Sequence, residues 1–155
     1  MTDLYQILQE HKVLTETNRL LLQKYQKRWN KSQYESLVET KLFTEAALAD
    51  YISIFFNKAL FTTSADLKAD PRSLSLLPFK EAMSLGVMPL ASNESGEAYV
   101  LLYDPTSQLA RQKLDDMFPT WSFGIATRDL VIHTIENTYP ITAQVPALKS
   151  MLEKL

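Results

Sequence analysis

Two histidines are the side chains of this sequence best suited to metal or acid–base chemistry. His11 stands at the end of a predicted first helix, and His133 lies in a later predicted helix near Glu136. Histidines distant in sequence can meet in a fold, but neither lies in the H-E-x-x-H spacing that places two imidazoles on one helical face around zinc. We therefore interpret both as packed or surface residues and predict neither a metal site nor a general base.

Helical carboxylates are the second candidates, because paired acids carry out acid–base catalysis when burial separates their pKa values. All five fall where exposed helix faces are predicted, and one lies in a first helical turn, where the helix dipole favours an acid. The sequence contains no cysteine and no nucleophile elbow, so thiolate and serine-hydrolase chemistry have no carrier. We predict that the chain is not an enzyme. The five carboxylates are Glu81, Asp115, Asp116, Asp129 and Glu136.

The stretch from Lys24 to Lys31, KYQKRWNK, interleaves basic and aromatic side chains, a pattern that can bind single-stranded nucleic acid. Cations are also favoured at the C-terminal end of a helix, and Trp29 is placed to pack between two helical units. The chain as a whole has a net charge of -2 and a pI of about 5.7. We therefore favour a solvated helix end and predict no nucleic-acid binding.

The composition is that of a soluble globular protein of 155 residues, 46% hydrophobic and 22% charged. This length supports one domain or two small subdomains that share a core. The longest apolar runs, LVIHTI and YVLLY, are far shorter than the ~20 residues that span a bilayer. The start MTDLYQILQEHK lacks the basic region and apolar core of a signal peptide. We predict a cytoplasmic protein.

A phrase of the N-terminal region occurs twice, at an offset of 29 residues. Each copy predicts a helix, a tight turn and a second helix, with a threonine, Thr15 or Thr44, as the N-cap of the second helix. Two such units can bury one face against each other as a small four-helix arrangement. The identical pairs are Tyr5/Tyr34, Leu8/Leu37, Glu10/Glu39, Lys12/Lys41, Thr15/Thr44 and Glu16/Glu45.

The region after residue 77 alternates helices and strands. Pro78 begins a predicted helix that Gly86 ends. VMPLASN and AYVLLYD predict a hairpin, and WSFGIAT predicts a third strand. The helix between the second and third strands is predicted to have Asp104 or Thr106 as its N-cap, and Thr127 is predicted to cap the last helix. The sequence therefore predicts an α+β fold in which about four N-terminal helices precede a small sheet of about three strands packed with helices.

Four segments follow from these patterns. Residues 1–58 are predicted to form the helical repeat subdomain, and 78–140 the α+β subdomain. Between them, 59–77 is a predicted connector with scattered polar residues, a short strand at 59–62 and one helical turn. Residues 141–155 are predicted to form a C-terminal tail with a short helix, ALKSMLEKL.

The ordered set of elements resembles the N-terminal domain of type II secretion and type IV pilus assembly ATPases over roughly residues 3–140. The resemblance rests on the doubled K-L-F-T-E-like phrase, Pro78 with its helix, the run 87–90, the turn at Gly96, the strand that ends in Asp104 and Pro105, and the helix at 109–118. The phosphate-binding loop of the family, G-x-x-x-x-G-K-[ST], is absent from this sequence, which has three glycines. The resemblance therefore implies an N-terminal domain without the ATPase core.

In some members of this family each helical repeat carries a cyclic di-GMP motif that resembles R-L-G-x-x-L-x-x-x-G. Glycine lets the backbone approach the ligand, and arginine reaches guanine or phosphate. Here every ligand-facing position is changed, so we predict no cyclic-dinucleotide binding and no cofactor. Lys12, Lys41 and Lys31 nevertheless leave positive charge near these positions. The arginine position holds Asp3 and Ser32, the first glycine position holds Tyr5 and Tyr34, and the second holds Lys12 and Lys41.

The resemblance implies a non-catalytic docking module of a bacterial secretion or pilus-type system. Its implied partners are a motor ATPase and the cytoplasmic domain of an inner-membrane platform subunit, so that the module would be peripheral to the inner membrane through that subunit. The alternative is a diverged cyclic di-GMP receptor domain. A small hydrolase is a third class, and it would require convergent polar groups in a pocket.

Overall fold

The computed structural model describes residues 3–65, 67–91, 97–145 and 151–154. Its N-terminal helices form the two helix–turn–helix units that the repeated phrase predicts. Thr15 Oγ1 accepts a hydrogen bond from the Asn18 amide at 3.2 Å, and Thr44 Oγ1 accepts one from the Ala47 amide at 3.1 Å, which confirms both predicted caps. The four helices are α1 (Leu4–Glu10), α2 (Glu16–Trp29), α3 (Gln33–Glu39) and α4 (Glu45–Phe56).

The rest of the described chain completes an α+β fold, as predicted. The strand expected at 59–62 is reduced to a single bridge between Leu60 and Ile125. The predicted turn at Gly96 and most of the predicted tail helix lie outside the described residues, and the division into four segments stays a prediction. The further elements are α5 (Pro71–Leu76), α6 (Phe79–Leu85), β1 (Val87–Leu90), β2 (Ala98–Leu102), α7 (Gln108–Met117), β3 (Trp121–Ile125), α8 (Arg128–Thr138) and α9 (Ile141–Gln144).

The described sheet is mixed, with strand order β1-β2-β3. β1 and β2 are antiparallel, with Val87 opposite Leu102, which confirms that the two predicted hairpin strands pair. β3 runs parallel to β2, with Leu102 opposite Ile125, and α7 forms the crossover that a parallel pair requires. Thr127 caps α8 as predicted, because its Oγ1 accepts a hydrogen bond from the Leu130 amide at 3.1 Å.

The predicted N-cap of α7 was wrong. Ser107 is the cap, and its Oγ accepts a hydrogen bond from the Ala110 amide at 3.3 Å. Asp104 closes the preceding turn instead: its Oδ1 accepts from the amide of Thr106 at 3.0 Å and from the hydroxyl of Thr106 at 2.6 Å. An aspartate readily bonds the backbone two residues ahead, and here that turn leaves the next hydroxyl to begin the helix.

The buried apolar side chains of the helical region and of the sheet form one core. Phe56 at the end of α4 packs edge-on against Phe123 of β3, with ring centroids 6.3 Å apart. Tyr34 of α3 packs against Tyr103 at the end of β2, with centroids 4.7 Å apart. The helical repeat and the sheet region therefore stabilise each other through shared aromatic contacts.

A buried tyrosine connects the end of α8 to the start of α6. Tyr139 is 5% exposed, and its hydroxyl donates to the Leu77 carbonyl oxygen at 2.5 Å. Its ring packs edge-on against Phe79 at 5.7 Å. Burial raises the pKa of Tyr139 to about 12.

We expect the free energy of unfolding to fall as the pH rises from 10 to about 12, and Tyr139→Phe to reduce that fall. The unfolded chain ionises this tyrosine near pH 10.0 and the folded chain near pH 12, so stability that is complete below pH 10 is lost across the window. Urea melts at pH 9 and pH 11.5 measure both proteins. At pH 9 the variant should lose about 1 kcal/mol, because the Leu77 carbonyl loses its donor. An equal alkaline fall in both proteins would contradict the assignment.

Candidate functional site

Four positions that hold glycine in the cyclic di-GMP motif hold tyrosine or lysine in this chain, and the two residue types differ in burial. Tyr5 and Tyr34 are buried, at 0% and 1% exposed, whereas Lys12 and Lys41 are exposed. The repeats are joined here, because the Tyr5 amide donates to Gln33 Oε1 at 3.2 Å. Tyrosine rings therefore fill the two positions at which the motif lets a ligand approach the backbone.

The Tyr34 ring packs against residues of more than one element. Besides Tyr103, the Arg128 guanidinium lies 6.0 Å from its ring centroid. Burial raises the pKa of both Tyr34 and Tyr5. The Arg128 amide near Tyr34 and the Ser36 hydroxyl near Tyr5 lower these pKa values by less than burial raises them, and neither group forms a hydrogen bond with its tyrosine. Both tyrosine hydroxyls therefore lack a hydrogen-bond partner among the described residues.

The two positions that hold arginine in the motif are helix caps in this chain. Asp3 Oδ1 accepts a hydrogen bond from the Gln6 amide at 2.8 Å and caps α1. Ser32 Oγ accepts from the Glu35 amide at 3.1 Å, while Glu35 Oε1 accepts from the Ser32 amide at 3.3 Å. This is a capping box, and its S-x-x-E signature was readable in the sequence. The two caps therefore satisfy the Gln6 and Glu35 amides from within the chain.

Lys12 and Lys41 show why the second motif position favours glycine. Their φ angles are 63° and 62°, in the left-handed region, at the turns that follow α1 and α3. A side chain in this region costs about 1–2 kcal/mol, and glycine avoids that cost. The backbone of the motif turn is therefore retained although its glycines are absent.

Lys41→Gly should raise the free energy of unfolding by about 0.5–1 kcal/mol, and Lys41→Ala should not. The gain is the relief of left-handed strain, reduced by the greater freedom of glycine in the unfolded chain. Urea denaturation of the three proteins at one pH measures it. Equal stability of the glycine and alanine variants would show that the turn is not strained.

The histidines and carboxylates lie as the sequence predicted, packed or on the surface. The His11 ring stacks on Phe55 at 3.8 Å, and His133 Nε2 lies 2.9 Å from Asn137 Nδ2. All five candidate carboxylates are exposed. In residues 3–65, 67–91, 97–145 and 151–154, no three side chains of metal-binding type cluster together.

The prediction that Trp29 packs between the repeats was wrong, because its side chain is 56% exposed. It is the last residue of α2, where Asn30 turns the chain in the left-handed conformation, and Arg28 lies over its ring at 5.4 Å. Helix α2 is exposed along most of its length: Leu22 is its one buried residue, and Leu20 is 54% exposed.

A cavity of about 270 Å³ lies between α2 and the turn after α3. Two of its leucines are exposed, Leu21 by 58% and Leu42 by 41%, and the Tyr25 hydroxyl at its edge donates to Glu39 Oε2 at 3.1 Å. Sequence reasoning missed this cavity, although three consecutive leucines at 20–22 cannot all face one core in a helix of 3.6 residues per turn. We call it the α2 groove; its lining residues are Asn18, Leu21, Leu22, Tyr25, Thr40 and Leu42.

Two further cavities that the described residues form carry no catalytic pair. The larger, about 410 Å³, has no titratable lining group besides Tyr139, whose hydroxyl is bonded to Leu77. The smaller, about 270 Å³, contains Asp50 as its one charged group. In the described ranges no helix combines the length and apolar character of a membrane span.

No family model and no curated protein matches the sequence. Solved structures do match it. A structure of MshE with cdg, cyclic di-GMP, superposes with a TM-score of 0.68 over 90% of this chain and 100% of that chain, at 17% identity. The N-terminal domain of XpsE superposes with a TM-score of 0.62 in two crystal forms, over 85% and 86% of this chain and 91% of each XpsE chain, at 16% and 15% identity.

The chain has the fold of the MshE and XpsE N-terminal domains. The structural match confirms the resemblance inferred from the ordered motifs. This chain and the MshE and XpsE chains share the fold at 15–17% identity. The positions of the cyclic di-GMP motif are occupied by other residues in this chain. They are two helix caps, two buried tyrosines and two lysines in the left-handed backbone conformation.

Proposed function

We propose that this chain is a non-catalytic docking module of a bacterial type II secretion or type IV pilus-type system. It couples a motor ATPase to the cytoplasmic domain of an inner-membrane platform subunit, and it lies in the cytoplasm, peripheral to the membrane through that subunit. The observation that carries the proposal is the superposition on the XpsE N-terminal domain over 85% of the chain.

The chemistry of the surface supports docking over catalysis. The phosphate-binding loop is absent from the sequence, and the candidate carboxylates and histidines are dispersed over the surface or packed. Exposed leucines remain on α2, and apolar anchors of this kind supply most of the affinity at protein–protein interfaces.

Affinity capture of the tagged chain from membranes of its own host, read by mass spectrometry, tests the proposal. Recovery of a platform subunit or of a motor ATPase, stable at moderate salt, would support it. The control is Tyr34→Ala, which should unfold more readily and recover less of the partner. A folded wild-type chain that recovers no secretion or pilus subunit would contradict the docking function.

A diverged cyclic di-GMP receptor is the second candidate, because the MshE structure that holds this ligand superposes on 90% of the chain. The exposed Lys12 and Lys41 are the residues that would meet its phosphates. Calorimetric titration with cyclic di-GMP decides between the two: micromolar binding that is lost in Lys12→Ala or Lys41→Ala would establish the receptor. No heat of binding at millimolar ligand would exclude it.

A further inference from the structure

The α2 groove has an apolar floor that nothing in the described chain covers. Leu21 and Leu22 of α2 line it from one helix, and Leu42 lines it from the turn after α3. Leu21 and Leu42 are both more than two-fifths exposed, whereas Leu22 is 4% exposed. Exposed leucines around a concave surface mark the kind of site into which an apolar side chain of a partner inserts.

Cations border this groove on both walls. Lys24 and Arg28 follow Leu21 by three and seven positions, so they share its face of α2. Lys41 lies in the opposite wall, between two lining residues. All three are exposed, and none forms an ion pair within the described ranges. The segment 19–31 has five basic residues and no acidic one, although the chain as a whole has a net charge of -2.

The carboxylate at the edge of the groove is already engaged. Glu39 accepts from the Tyr25 hydroxyl, and its Oε1 lies 3.2 Å from Lys31 Nζ. The free charge at the rim is therefore positive, and the floor is apolar.

We propose that the α2 groove binds an acidic amphipathic helix of a protein partner. The apolar stripe of that helix packs on Leu21 and Leu42, and its carboxylates lie beside Lys24, Arg28 and Lys41. Helix-in-groove recognition uses this combination of a narrow apolar contact and a charged border. The inference rests on the proposed docking function and names the docking surface and the chemistry of the partner.

The geometry favours a protein helix over a lipid surface. A bilayer is flat and does not enter a concave groove, and a membrane-binding helix presents its apolar residues on one face. The exposed Leu20 and Trp29 are nine positions apart, which is two and a half helical turns, so they lie on opposite sides of α2. Nucleic acid is disfavoured because the floor is leucine and its one ring, Tyr25, is held by Glu39.

Photocrosslinking in host membranes tests the inference. The full chain carries benzoyl-phenylalanine in place of Leu21, and a matched chain carries it in place of Leu109, which is 71% exposed on α7. We expect position 21, and not position 109, to crosslink to a protein segment with apolar residues at i, i+3, i+4 and i+7 flanked by Asp or Glu. Crosslinks to lipid, to RNA, to a second copy of this chain or to a basic segment would overturn the proposal, as would none at all.

Binding of a synthetic peptide of the crosslinked segment to variants of the chain then measures how much the apolar and the basic residues of the groove contribute to affinity. Leu21→Ser and the double variant Lys24→Glu/Arg28→Glu should each weaken binding at least about tenfold, and added salt should weaken wild-type binding. Leu109→Ser is the control and should bind within about twofold of wild type. All these positions are exposed, so the variants should keep the wild-type melting temperature. Groove variants that are folded and bind like wild type would overturn the inference.

The outcomes separate this inference from the proposed function. If wild type and Leu21→Ser capture the same secretion or pilus subunit equally, the docking function stands and the groove is not the docking surface. If position 21 crosslinks to an acidic helix of an unrelated protein, the groove assignment stands and the secretion role fails.

Discussion

Tyr34→Ala is expected to lower the free energy of unfolding by about 3–5 kcal/mol, the range for removing a large buried side chain. The ring is 1% exposed and contacts both Tyr103 and the start of α8. Its deletion leaves a cavity between the helical repeat and the sheet, and elements fixed by their own hydrogen bonds collapse around it only in part. Urea melts at pH 7, followed by circular dichroism, measure the loss.

Tyr34→Phe separates the ring from its hydroxyl. Because that oxygen is buried and has no hydrogen-bond partner among the described residues, its removal should be neutral or stabilise the fold by up to about 1 kcal/mol. Tyr5→Phe should behave in the same way. A phenylalanine variant as damaged as the alanine variant would show that the hydroxyl makes a bond that the structure lacks.

Gly124→Ala should lower the free energy of unfolding by about 1–3 kcal/mol, the usual cost of overpacking a core. A Cβ at this position would overlap the Phe61 ring and lie 2.7 Å from the Tyr99 hydroxyl oxygen. The backbones of both neighbours are fixed, because Tyr99 belongs to β2 and the Phe61 amide donates to the Ile125 carbonyl oxygen at 2.8 Å. The glycine is required by the close approach of two rings.

A double-mutant cycle tests the cause of this loss. In a Phe61→Leu background the new methyl group has more room, so Gly124→Ala should cost at least about 0.5 kcal/mol less than in the wild type. Thermal and urea melts of the four proteins give the coupling energy. Strictly additive losses would show that Phe61 is not the obstacle.

Local chemistry explains most of what the sequence predicted correctly. A cap is decided within four residues, and Thr15, Thr44 and Thr127 each stand directly before a periodic apolar pattern. Where several candidates are adjacent, local reasoning fails: Asp104, Thr106 and Ser107 can each cap, and the turn after β2 decides among them. The caps at Asp3 and Ser32 were not predicted, although the S-x-x-E pattern that begins at Ser32 is a local capping-box signature.

Non-local packing explains the rest. The hairpin of β1 and β2 was predicted from adjacent patterns, but the parallel pairing of β3 depends on how α7 crosses the sheet. The size of the tyrosine side chain was enough to predict that Tyr5 and Tyr34 fill the first glycine positions of the motif. The α2 groove did not follow from pattern, because the exposure of Leu21 and Trp29 depends on how α2 packs against α3.

The single buried side chain of α2 has a kinetic consequence. Opening this helix locally exposes little apolar surface, so its backbone amides should exchange with deuterium far faster than those of β2, whose last three residues are buried. We expect the β2 amides to exchange only when the whole domain unfolds. A bound partner helix would slow exchange in α2 selectively, and mass spectrometry of deuterated peptides would then report occupancy of that helix without any change in the core.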